Sequence, residues 1–179
     1  IEYWRSGESA ATVLAEEALA DARDPVLKAR CYAAVALFAG TVDLPKAAAS
    51  AREALAILES IPDRDPGLVA AALSARVRAD LFLGDGFDRE TAMRSLALEE
   101  SGPPATVDTR VVFKLGQWLR YIDDLDGARA SLEQAEQQAR EEGDESSFAN
   151  ILLNRVIVAT WAGDLAGATE LAERMSDAL

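Results

Sequence analysis

The chain has 179 residues, half of them hydrophobic and only 6% aromatic, with a formal net charge of −13. That length suits one ordinary domain or several small repeats, and so acidic a surface repels nucleic-acid backbones and anionic membranes. The absence of histidine and the single cysteine, Cys31, remove the commonest general base and metal ligand and exclude an internal disulfide, which suits a reducing cytoplasm.

Periodicity near 3.6 residues, with Gly, Pro and Asp as punctuation, predicts nine helices near 7–22, 26–39, 44–60, 66–83, 88–100, 105–122, 125–142, 145–162 and 165–178. Alanine is the commonest residue and loses no side-chain entropy in a helix. No strand-like alternation competes. The first helix carries SAATVLAEEALA, with Ala11 and Ala18 seven apart; Trp4 precedes it and is expected to pack on a preceding repeat. The second holds CYAAVALFAG, where Cys31 reads as a small core residue. In the fourth, Arg76 and Asp80 stand four apart, the spacing of an intrahelical ion pair. In the sixth, VVFKLGQWL, Trp118 shares a stripe with Val111, Leu115 and Ile122 and reads as packing.

Asp-Leu recurs at 43–44, 124–125 and 164–165, and Ala47/Ala54, Ala128/Ala135 and Ala168/Met175 follow at matching offsets. A period of 36–42 residues, with two helices per unit, is the signature of an α-solenoid. Small residues let neighbouring backbones approach. Val112, Leu115, Gly116 and Leu119 therefore line up against Ala128, Leu132 and Ala135. The expected fold is all-α: antiparallel helix hairpins in a right-handed superhelix, about four and a half units in one domain over 1–179.

VxxLGxxL followed after a turn by DLxxAxxxxxxA resembles the tetratricopeptide pattern over 109–142. Arg76 and Arg155 replace Leu115 in the neighbouring units, and the unit exceeds the family's usual length. Phrases such as LAEEALADARDPVLKAR and ARASLEQAEQQAREEGDESS resemble the middle region of large LuxR-type, maltose-activator-like transcriptional regulators. Fifteen arginines against three lysines fit the GC-rich, actinobacterial genomes that carry them.

That resemblance implies a non-catalytic, cytoplasmic sensor that relays protein or ligand binding to ATPase and DNA-binding domains outside the segment. The alternative is a stand-alone scaffold for protein assembly. The start at Ile1 rather than Met reads as a segment of a longer protein. Phosphate loops, GxGxxG, GxSxG, CxxC and HExxH are all missing, so no catalytic residue, cofactor or metal is expected here. No apolar run approaches the roughly 20 residues of a membrane span. Adjacent acidic pairs such as Glu16-Glu17 diverge on a helix and read as solvated.

In tetratricopeptide arrays the first helix of each hairpin lines the concave face. Carried over from Leu115-Gly116, this puts Arg110, Phe113, Gln117, Arg120 and Tyr121 there. The equivalent places in other units are Tyr32, Ser74, Arg78, Asn150, Leu153 and Trp161. Arginine beside aromatics suits carboxylates, so the expected occupant is a protein, a small anionic ligand or a neighbouring domain of the same chain. The competing expectation is that the arginines pair with acidic residues of adjoining helices while the aromatics fill gaps. Solenoid ends expose apolar surface, which predicts self-association through the first helix or the end at Leu179.

Overall fold

The computed structural model describes residues 2–40, 42–99 and 106–177, with backbone alone for 2–9. Among these residues the chain is all-α and no strand occurs. Its helices are α1 (Glu2–Asp21), α2 (Pro25–Ala39), α3 (Leu44–Glu59), α4 (Pro66–Leu83), α5 (Arg89–Glu99), α6 (Val111–Tyr121), α7 (Leu125–Glu142), α8 (Glu145–Trp161) and α9 (Leu165–Asp177). No described helix is long and apolar enough to cross a membrane. The Trp4 side chain, the Pro103-Pro104 break and Leu179 lie outside the described residues.

Aspartates start these helices. Asp24, Asp43 and Asp65 accept from the backbone N–H of Leu27, Lys46 and Gly67 at 2.9, 3.0 and 2.9 Å. Asp124 and Asp164 do the same for Gly127 and Gly167, both at 3.0 Å. Each such cap is worth about 1 kcal/mol, because it satisfies a donor that the first helical turn leaves unpaired. The recurring Asp-Leu is thus a recurring N-cap. Gly84 and Gly143 close α4 and α7 in the left-handed region, φ 89° and 67°, where a Cβ is strained.

Two boundaries depart from the sequence reading. Helix α1 begins at Glu2 rather than near 7, and the segment expected as one helix over 105–122 is broken. A 3-10 turn at Val107–Thr109 leads into an extended Arg110 (φ −74°, ψ 160°), and only then does α6 begin. The turn is held from a distance: Val107 N–H donates to Asp144 Oδ2 at 2.8 Å, and Asp108 N–H to Ser147 Oγ at 3.2 Å. Its first two amides are satisfied by side chains rather than by a helical ladder, so the helix starts later.

The chain forms two compact units, Ile1–Pro103 and Pro104–Leu179. In the first, each helix packs on its predecessor and α2 also meets α4. Its interior is built mostly of alanine. Ala29, Ala33, Ala54 and Ala72 pack with Leu58, Val69 and Leu73, and Ala36, Ala51 and Ala75 form another layer. Ala39, Ala47, Ala48 and Ala79 form a third. Side chains this small let helices approach closely but bury little apolar area each. Cys31 is buried, as its apolar run implies. Ser95 Oγ donates to Ala70 carbonyl at 2.8 Å and fixes α5 on α4, and Arg76 pairs with Asp80 at 3.2 Å.

In the second unit consecutive helices again pack together, and α6 also touches α8. Val112, Leu115, Leu119, Ala128, Leu132 and Ala135 are all buried, as their spacing implies. A Cβ on Gly116 would fall 2.6 Å from Leu132 Cγ, so glycine is what lets α6 lie against α7. Ser131 Oγ adds a 2.6 Å bond to the Val112 carbonyl.

Candidate functional site

Ser147, Asn150, Asn154 and Trp161 share one side of α8, since spacings of three, four and seven return to the same helical face. The 3-10 turn and α6 face them. Asn154 Oδ1 accepts from Gln117 Nε2 at 3.2 Å and from an Arg120 terminal nitrogen at 3.3 Å. Asn154 Nδ2 donates to the Asn150 carbonyl at 2.9 Å, and Asn150 Nδ2 to Asp108 Oδ2 at 3.1 Å. Below them Ser147 Oγ lies 2.5 Å from Asp144 Oδ2. The Ser147 and Ser146 hydroxyls and the Val107 amide hold the Asp144 carboxyl down to about 2. The result is a polar ladder that joins two helices and ends at Arg120.

Arg120 is 7% exposed. Its guanidinium lies 4.8 Å from the Tyr121 ring centre and 5.3 Å from that of Trp161. The two rings meet edge to face, 6.4 Å apart at 83°. They are the last residues of α6 and α8, which touch each other. Both are open to solvent, Tyr121 by 49% and Trp161 by 54%. Asn154 Oδ1 is a neutral acceptor, and Arg120 Nε has no hydrogen-bond partner. Among the described residues Arg120 has no carboxylate at ion-pair distance. A buried cation costs several kcal/mol unless paired, and ring faces return only about 0.5–2 kcal/mol. The arrangement can accept an anionic group against Arg120, with two rings as a contact surface beside it.

The other expected site residues have different fates. Arg110 leaves the strip as the residue before α6 and grips Glu142 through both terminal nitrogens, at 2.7 and 2.5 Å. That bond holds the Glu142 carboxyl below its usual range. Here the competing expectation, arginine paired with a neighbouring acid, describes the geometry. Phe113 is 2% exposed and lies in the core of the unit. It stands four residues before Gln117 on α6, but its side chain is buried whereas that of Gln117 is half-buried. Gln117 is half-buried in the ladder. Trp118 is core at 2% exposure.

Tyr32 and Arg78 belong to the first unit. Tyr32 packs against its main alanine–leucine layer. The Arg78 guanidinium passes over Gly40, where an added Cβ would stand 3.1 Å from Cζ. A cation over the C-terminal end of α2 is where the helix dipole favours one.

Sequence reasoning missed Glu136. It is 3% exposed and is bonded by Arg140 of its own helix, Arg155 of α8 and Arg174 of α9. Arg155 also reaches Glu133 at 2.8 Å. Burial pushes the Glu136 carboxyl up, but the bonds from Arg155 and Arg174 outweigh it and hold the group below its ordinary value. The available signal was Arg155 itself, an arginine standing where the repeat pattern wants leucine. No group of three or more metal-ligating side chains occurs among the described residues. No protein-family model matches the chain, and no curated protein matches its sequence.

Proposed function

We propose that the chain is a non-catalytic binding module of tetratricopeptide-like helical repeats. In this reading it receives a carboxylate-bearing partner at Arg120, with Tyr121 and Trp161 as the contact surface. The observation that carries the reading is the buried guanidinium of Arg120, which lies beside two exposed rings and has no carboxylate at ion-pair distance among the described residues. A docked carboxylate would neutralise the cation at its accessible edge. Its backbone or carbon skeleton would cover ring surface that water now wets.

The phrase-level resemblance to LuxR-type regulators supports a sensor role, in which occupancy is relayed to ATPase and DNA-binding domains elsewhere in the protein. A full reading frame with a phosphate loop upstream and a helix-turn-helix downstream selects that role. A frame without both selects the stand-alone scaffold.

The site is tested by titrating glutarate and a short glutamate-rich peptide while following tryptophan fluorescence. Saturable quenching is expected, and Arg120→Met should weaken it by about 2 kcal/mol, the value of a charge-assisted hydrogen bond. The same change should leave thermal stability equal or higher, because it removes an unpaired buried charge. Equal affinity in wild type and Arg120→Met would overturn the assignment.

A further inference from the structure

A recess in the first unit has a lining opposite in sign to the chain as a whole. It holds about 260 Å³ between α3, the α3–α4 connection, α4 and α5. Arg52, Arg64, Arg76 and Arg94 line it, with Glu59 as its lone carboxylate. Its apolar floor includes Leu58, Val69 and Leu73, all buried in the unit's main core layer. A net charge of −13 makes four arginines around one recess a departure that composition alone does not explain.

The positions are fixed by the helices. Arg52, Leu55 and Glu59 follow one another at three and four residues on α3. Val69, Leu73 and Arg76 do so at four and three on α4, and α5 brings Arg94. Only Arg76 has an ion-pair partner, Asp80 of its own helix. Arg52, Arg64 and Arg94 are exposed and have no carboxylate at ion-pair distance among the described residues. Thr91, which also lines the recess, spends its hydroxyl and amide on Asp88 as the cap of α5. The arginines are therefore the donors left to a ligand. A second recess shares Arg52 and Arg76 but is lined by Asp80, Asp85 and Asp88. That acidic side turns an anion toward Arg64 and Arg94.

The comparable recess of the second unit shows what a satisfied cluster looks like. It too is lined by arginines, but Arg155 and Arg174 are spent on Glu136. Like charges brought together with too little counter-charge repel, and a planar guanidinium fork matches a carboxylate or phosphate edge. We infer that the α3–α5 recess binds a compact small molecule carrying two or more adjacent oxyanion groups. Its volume lies just below the usual range of ligand clefts, which suits such a molecule better than a dinucleotide.

The test is calorimetric titration of the whole chain with pyrophosphate, citrate and acetate. Pyrophosphate or citrate should bind and acetate should not, and the better of the two separates phosphate from polycarboxylate chemistry. Arg64→Ala/Arg94→Ala should weaken that binding roughly tenfold or more, since each removes a charge-assisted contact. Both residues are exposed, and circular dichroism should show folding unchanged. Arg23→Ala, exposed and outside the recess, should bind as wild type. So should Arg120→Met, which separates this site from the one at Trp161. Absence of binding by either polyanion, or equal weakening in Arg23→Ala, would overturn the inference.

Discussion

The two units hold their helices together by different means. In Ile1–Pro103 the contact layers are mostly alanine, and adjoining helices approach because nothing large separates them. In Pro104–Leu179 larger apolar side chains share the interior with directed polar bonds: the ladder from Asp108 to Arg120 and the carboxylate of Glu136 among three arginines. Alanine surfaces are smooth and say little about which register two helices adopt. Buried hydrogen bonds are intolerant of misplacement, because a missing partner leaves a desolvated polar group. The contrast teaches that one chain can secure proximity by small size in one region and specificity by polar pairing in another.

The strongest way to break this contrast is Glu136→Gln. It leaves Arg155 and Arg174 without their buried carboxylate and should destabilise the second unit by about 3 kcal/mol, read by guanidinium denaturation. Wild type should also show an acid dependence that the variant lacks. The folded Glu136 carboxyl lies below its ordinary 4.5, so its contribution is complete above that pH and is lost as pH falls through the folded value. A variant as stable as wild type at neutral pH would show that the node adds nothing.

Overpacking comes next in size. Ala128→Leu, at a position fully buried against α6, should cost about 1–3 kcal/mol. Ala51→Leu should do the same in the alanine layers of the first unit, which sharpens the comparison: close approach matters equally in both. The smallest effect is a gain. Asp123 has φ 63° where the equivalent position forty residues on, Gly163, has φ 77°. Asp123→Gly should therefore raise the melting temperature slightly, by relief of about 0.5–1 kcal/mol of backbone strain. A decrease would mean that the aspartate side chain has a structural role of its own.

Much of this architecture is legible in the residues, for physical reasons. Asp-Leu and Asp-Pro mark helix starts because capping is local, and Gly116 against Ala128 is legible because close approach needs small side chains at fixed spacing. Tyr121 and Trp161 come together as the last residues of α6 and α8, which pack against each other. What is not legible depends on distant partners. The helix expected through 105–122 breaks at Arg110 because Asp144 and Ser147 claim the amides before it. Glu136 looks like one more solvated glutamate until α8 and α9 bring arginines from nineteen and thirty-eight residues away. The depth of Phe113 in the core is likewise not legible, because helical spacing gives a direction but not a depth.

The double engagement of Asp144 has a kinetic consequence. One carboxylate caps α8 through the Ser147 amide and holds Val107, thirty-seven residues upstream. A helix start ordinarily frays alone, in a fast local opening. Here that opening costs the remote turn its anchor as well. The Val107 and Ser147 amides should consequently exchange hydrogen with solvent in one concerted event, at a common rate that Asp144→Asn accelerates for both.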